Sequence, residues 1–362
     1  MTDTTQKQLS PAESAQRIDA FWLVFQENES DLVKQPIRDQ VEHINEILEE
    51  YLEGLALEMS ADDGDLCIAL IASAHGDTAV FALLLDFVKR APPLRHYALS
   101  AFRARADSPD FPMRMDSFEL ATSDVLIGHF PDAGQVGLEI MFARELPSDM
   151  QDHARNMTFI MLDHVLGEYD FAVKVGRVSF VDAFSDQVVA ATALHTFGAV
   201  FDAFWTGELG HTGLFPSGEH QWSVMEVVFG VDQDDDDNDD DKAAHGRQAV
   251  VAVNQSANAL AARPDLCHAI EWRLNASNHA ELDSARERQE QMASRLELQH
   301  TGILSHTVVR NGQRLAHYYV GDVSAALRLF VSISHSADAD AALSDSFDPT
   351  WSEYFYFARN SV

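Results

Sequence analysis

Apolar residues recur at helical spacing over the first fifty-odd positions. Ile18, Phe21, Trp22 and Phe25 form one stripe, and Val41, Ile44, Leu48, Leu52 and Leu55 form a second, so the chain is expected to open with two helices. The first carries a start signal: Ser10 as cap, Pro11 in the first turn and Glu13 closing a capping box. The period then changes. "DLCIALIAS" (65–73) is a near-continuous apolar run of strand length, and "HGDTAVFALLLDFVKRAPP" reads as a helix stopped by Pro92 and Pro93. Strand-like segments follow at 95–103, 117–128 and 134–143. A helix from Pro147 to Leu166 buries Met150, Ala154, Met157, Met161 and Val165 and can end at Gly167. A strand near "KVGRVSFVD" and a helix from about 186 to 206 complete this half.

"TGELGHTGLFPSGEHQ" (206–221) is rich in glycine and polar residues and marks the expected boundary. It gives an N-terminal domain over 10–206 after a disordered 1–9, a linker over 207–221, and a C-terminal domain over 222–362. The second half opens on a strand, "WSVMEVVFGVD", and a further strand, "QAVVAVN", follows the acidic run between them. "LCHAIEWRL" (266–274) alternates, placing His268, Ile270 and Trp272 on one face. A helix with Leu282, Ala285, Met292 and Leu296 comes next, then strands at 303–310 and 313–320, a helix near 322–333 and a strand near 341–347. From residue 266 the order is β-α-β-β-α-β, and residues 66–181 give nearly the same order with one extra strand. The expected class is α+β: two domains, each an antiparallel sheet with helices on one face in a ferredoxin-like pattern.

Charge changes the functional picture more than composition does. The 362 residues are 46% hydrophobic, as in a folded chain, but carry a net charge of −33. Such an excess of acid opposes binding to nucleic acid or to anionic membrane surfaces and favours a basic protein partner. No run approaches 18 apolar residues and the N-terminus lacks the apolar core of a signal peptide, so a cytoplasmic protein is expected. The four glycosylation sequons, at Asn28, Asn156, Asn254 and Asn275, are then chance matches. Cys67 and Cys267 stand in apolar stretches and read as two buried thiols of a reducing compartment.

The most conspicuous local feature is "VDQDDDDNDDDK", with eight aspartates between Asp232 and Asp241. A calcium loop of the EF-hand type needs glycine at its sixth and glutamate at its twelfth position. Counting from Asp234 those places hold Asp239 and His245; from Asp232 they hold Asp237 and Ala243. The segment 232–242 is therefore expected to be a solvated loop at a hairpin tip. Asp234, Asp235, Asp236, Asp237, Asp239, Asp240 and Asp241 would act by long-range attraction of a basic partner, and removing them should leave the fold intact.

Several second-half segments resemble bacterial domain-of-unknown-function family 695. They are "WSVMEVVFG", "AVVAVNQSA", "NGQRLAHYYVGD" and "DPTWSEYF", in that order over about 222–358. The first half, with "FWLVFQEN", "LIASAHGD", "RHYALSAFR" and "LGEYD", looks like a companion region of bacterial proteins. Members of the family are sometimes joined to sequences similar to regulator of ribonuclease E activity B, an inhibitor of an RNA-degrading enzyme. The resemblance thus implies protein binding or regulation and brings no catalytic residues.

Chemistry-bearing candidates are few. In "HTVVRNGQRLAH", Asn311-Gly312 is a two-residue turn signal that pairs Arg310 with Gln313. Counting outward puts Val308 opposite Leu315, His306 opposite His317 and Leu304 opposite Tyr319, all on one face. Opposed Cβ atoms lie about 4.5–5.5 Å apart, close enough for two imidazoles to share a proton, a hydrogen bond or a metal. Two ligands make no zinc site, and the sequence places no third nearby, so neither metal nor cofactor is expected. Arg314 and Tyr318, on the opposite hairpin face, are grouped with Asp348 as a polar groove by the family pattern. Ser73 and His75 end a buried strand without a Gly-x-Ser-x-Gly elbow and read as a structural loop. The expected function is non-catalytic binding or regulation, of the inhibitor or immunity type. The alternative is a small-molecule or metal-dependent hydrolase using the His306/His317 face.

Overall fold

A computed structural model describes residues 10–61, 66–115, 118–228, 248–334 and 342–360. The chain is α+β and divides into two compact units: Met1–Gly128 with Glu139–Gly198, and His129–Leu138 with Ala199–Val362. The second unit thus begins earlier than the expected linker and takes 207–221 into itself. His211 shows why that segment is held. It is buried, and its ring nitrogens lie 2.7 Å from the Asn258 carbonyl and 2.8 Å from the Gly134 carbonyl.

In the first unit the two expected helices form, α1 (Pro11–Leu32) and α2 (Ile37–Tyr51). The capping box at Ser10 and Glu13 is present, with Glu13 N–H donating to Ser10 Oγ at 3.3 Å. Phe21, Trp22 and Phe25 of α1 are buried, and Trp22 stacks on Phe87 at 4.6 Å. Strands β1 (Ala56–Ser60), β2 (Ile68–Ser73) and β3 (Tyr97–Ala101) form one sheet in the order β1-β2-β3. β1 and β2 run antiparallel, but β2 and β3 run parallel, joined by the helix α3 (Phe81–Lys89). A parallel pair needs such a crossover, and the helix that the sequence shows between these strands supplies it.

β4 (Pro112–Met115) and β5 (Phe118–Ala121) pair separately. β6 (Val125–Asp132) and β7 (Gln135–Phe142) belong to another sheet. After α4 (Gln151–Leu166) and α5 (Glu168–Lys174), that sheet is completed by β8 (Val175–Phe180) and β9 (Ala190–Ala193), in the order β8-β7-β6-β9. The expectation of one antiparallel sheet in this half is therefore corrected to several sheets, one holding a parallel pair. α6 (Leu194–Ala203) closes the N-terminal half of the sequence.

Cys67 corrects a second expectation. β2 begins at Ile68, one residue later, so this thiol is exposed while Cys267 is buried. Burial pushes the Cys267 thiol up to about 11.

The second unit is built on a six-stranded antiparallel sheet. Its strands are β10 (Trp222–Val228), β11 (Gln248–Asn254), β12 (His268–Asn275), β13 (Gly302–Arg310), β14 (Gln313–Val320) and β15 (Leu343–Phe347). They lie in the order β10-β11-β13-β14-β12-β15. The helices α7 (His279–Leu298), α8 (Val323–Ile333) and α9 (Ser352–Ala358) accompany them. α7 and α8 cover one face, packing Met292, Leu296 and Phe330 with Trp272 and Tyr318. α9 covers the other, packing Tyr354, Phe355 and Phe357 with Val253, Val308 and Leu315. The expectation of helices on one face only is corrected accordingly. β-strand alternation makes both faces of β12 to β14 apolar, and each apolar face requires its own cover. Val228 pairs with Gln248, so the acidic run stands between two paired strands, but residues 229–247 lie outside the described residues.

Candidate functional site

The two histidines meet as the register requires. Asn311 and Gly312 both take positive φ, 51° and 70°, which the two-residue turn needs. Pairing runs from Arg310 opposite Gln313 to His306 opposite His317. There the register shifts. Leu304 pairs with Tyr318, not with the expected Tyr319, because Ser305 is an extra residue in β13. The bulge sends Leu304 to the α7 face and leaves His306 on the α9 face.

The Ser305 hydroxyl holds the bulge to both histidines. It donates to the His317 carbonyl at 3.0 Å and lies 3.0 Å from His306 Nδ1. Since its one proton goes to the carbonyl, His306 Nδ1–H must be the donor in the other bond. The neutral His306 ring then carries its lone pair on Nε2. That atom is buried without a hydrogen-bond partner, as is His317 Nε2. The two rings stack, with centroids 4.2 Å apart and planes inclined by 11°.

Two carboxylates converge on this pair. Glu353, in the first turn of α9, places Oε1 at 3.2 Å from His317 Nδ1 and 3.7 Å from His306 Nε2. Glu271 of β12 sits opposite His317, with Oε2 at 3.8 Å from His317 Nε2, and its other oxygen accepts from Arg273 at 2.8 Å. The row across the sheet therefore reads Val253, His306, His317, Glu271. Burial, reinforced by His317, pushes His306 down to about 4, with Glu353 pulling the other way. Burial alone would raise Glu353, but the two imidazoles prevail and hold it well below the usual carboxylate range. His306, His317 and Glu353 each offer a ligand atom, all within 4.8 Å of one another.

The other expected site residues do not join this group. Asp348 accepts from Tyr319 Oη at 2.7 Å and from the backbone N–H groups of Ser352 and Glu353, fixing the start of α9. Arg314 and Tyr318 point to the α7 face, where Arg314 Nε donates to Gln289 Oε1 at 2.6 Å and Tyr318 Oη to the Gln289 carbonyl at 3.2 Å. The expected groove of Arg314, Tyr318 and Asp348 is thus corrected: the sheet separates Asp348 from the other two. Arg314 instead lines a groove of about 650 Å³ with Trp222, Val224, Gln289 and Glu297. Burial and the neighbouring Arg286 lower the Arg314 guanidinium.

Ser73 ends β2 and His75 lies in the loop after it, a stretch held by hydrogen bonds to Glu168. Ser73 Oγ donates to Glu168 Oε1 at 3.0 Å and accepts from His75 N–H at 3.1 Å, and no hydrogen bond joins the His75 ring to it. Sequence reasoning missed Glu168, Glu271 and Glu353. Only Glu271 had a signal in the chain, because the alternation of β12 puts it on the face opposite Ile270 and Trp272.

No protein-family model, curated protein or solved structure matches the chain. Among the described residues no helix is long and apolar enough to cross a membrane.

Proposed function

We propose that this protein is a non-catalytic binding or regulatory protein that recognises a basic protein partner in the cytoplasm. The observation that carries the reading is an acidic face on α2, in a chain of net charge −33. Asp39, Glu42, Glu46, Glu49, Glu50 and Glu53 are all exposed on or beside this helix, while Ile44 and Leu48 are buried beneath them. Among the described residues none of the six has an ion-pair partner. Glu42–Glu46 and Glu46–Glu50 are like-charged neighbours at i,i+4 within the helix, each pair destabilising it by about 0.2–0.5 kcal/mol. A basic surface docked on this face would relieve that repulsion, and the field would steer its approach.

The resemblance to family 695 supports the same reading. The order β15-β12-β14-β13 favours a ferredoxin-like reading of the second unit. The experiment is capture from cell lysate at low salt with the wild type and with a Glu42→Lys, Glu46→Lys, Glu50→Lys variant, the retained proteins being identified. A basic protein retained by the wild type, released by salt and absent from the variant supports the proposal. No such protein, or the same set on both baits, overturns it.

A metal-dependent hydrolase is the second reading. Its specific support is Glu353, the third potential ligand beside His306 and His317.

A further inference from the structure

We infer that His306, His317 and Glu353 form a binding site for one divalent transition-metal ion of the zinc type, with His306 Nε2, His317 Nδ1 and Glu353 Oε1 as ligands. This inference is independent of the basic-partner reading. Three features of the geometry carry it.

The first is the orphaned Nε2 of His306. His306 is wholly buried, its Nδ1 is committed to Ser305, and its Nε2 has no hydrogen-bond partner. A buried acceptor left in this state is destabilising. Glu353 Oε1, a carboxylate oxygen with lone pairs of its own, lies 3.7 Å from it. Two lone pairs facing each other repel, and a cation between them removes the repulsion.

The second is spacing. Zinc binds nitrogen and carboxylate oxygen at about 2.0–2.2 Å, so tetrahedral ligand atoms stand about 3.4 Å apart. The separations from Glu353 Oε1 are 3.2 Å to His317 Nδ1 and 3.7 Å to His306 Nε2, on either side of that length. The two ring planes are only 11° apart. An ion in the plane of both rings therefore requires them to tilt out of their stack, a rotation about χ2 that leaves the strands in place.

The third is the shell behind the ligands. A metal-bound histidine commonly gives its other ring nitrogen to a carboxylate or similar acceptor, which fixes the tautomer. Here each histidine has such a neighbour: Ser305 Oγ at 3.0 Å from His306 Nδ1, and Glu271 Oε2 at 3.8 Å from His317 Nε2. Two imidazoles and one carboxylate are a borderline donor set that suits zinc, cobalt or nickel and disfavours calcium and magnesium. The Glu353 side chain is 42% exposed, which places one of the three ligands at the solvent edge.

The test uses the full chain, stripped with chelator and titrated with Zn²⁺ and with Co²⁺ in excess Mg²⁺, which occupies weak acidic sites. One equivalent should bind, and Co²⁺ should give the intense visible bands of a four- or five-coordinate ion. His317→Gln and Glu353→Gln should each weaken binding at least tenfold, and Ser305→Ala by about 10–100-fold through loss of the tautomer lock. Circular dichroism establishes that each variant is folded, and Glu353→Gln, at the solvent edge, keeps the test open if a strand variant fails. No binding above the Mg²⁺ background overturns the inference. So does one equivalent bound unchanged by folded His317→Gln or Glu353→Gln, which would assign the ion to other acidic residues.

Discussion

Two glutamates near the starts of short helices make an instructive pair, one in each unit. Glu168 opens α5 directly after Gly167, whose φ of 81° suits glycine and brings the chain against the Arg103 carbonyl. Its side chain is wholly buried, yet every demand is met. Oε1 accepts from Ser73 Oγ, Ala74 N–H and Gly76 N–H, and Oε2 accepts from Arg103 N–H at 3.1 Å. It ties the ends of β2 and β3 together. Glu353 opens α9 in the same way but faces two imidazoles, of which one offers it only an unprotonated nitrogen. A carboxylate whose lone pairs are filled by protein donors is a structural staple. One that shares a buried space with lone pairs is arranged for a proton or an ion that comes from outside.

The largest effect that would break this comparison lies at Glu168. Replacing it with Ala strands four donors in the interior and should cost about 3–5 kcal/mol in denaturant unfolding. A loss below about 1 kcal/mol would show that the staple reading is wrong.

Next comes pH, in the second unit. An unfolded chain protonates His306 near the ordinary imidazole value, whereas the folded one holds it down to about 4. Between those limits the unfolded state binds more protons, so stability is full above pH 6.5 and falls as the pH drops toward 4. The loss should amount to roughly 3 kcal/mol in chelator-treated protein. Glu353, also held below its ordinary range, adds to the loss in the same direction once the pH passes below that range. Denaturant unfolding across this window checks the sign, and a flat profile would remove the buried neutral histidine from the account.

The smallest effect sharpens the contrast. Glu353→Gln in metal-free protein should change stability by less than about 1 kcal/mol, because its side chain is partly exposed and its imidazole contacts are at 3.2 and 3.7 Å. A cost equal to that of Glu168→Ala would mean that both carboxylates are staples.

Much of the second unit was legible from residue order. Alternation and the Asn311-Gly312 turn placed β12, β13 and β14 within a residue or two and set His306 against His317. The Ser305 bulge was not legible, since nothing in "ILSHTVV" distinguishes the extra residue until Tyr318 and Tyr319 have chosen their faces. In the first unit the helix between β2 and β3 was visible, but the parallel pairing it implies was not drawn from it. The apolar neighbours of Cys67 extend the strand pattern one residue beyond the start of β2, so the periodicity alone reads the thiol as buried.

By itself the sequence determined most elements of the second unit, the α+β class, the acid excess and the one cross-strand pair that a short turn can specify, but not β1, β4, α5 or β9 of the first half. What it determined follows from local periodicity, capping and charge, which act over a few residues. Tertiary structure alone decided which carboxylates meet which partners. Glu168 reaches Ser73 across 95 positions of chain, and Glu353 reaches His317 from a different element altogether. Such contacts depend on how helices cover a sheet, a choice made by burial of whole apolar faces and not by the spacing of the residues that end up touching.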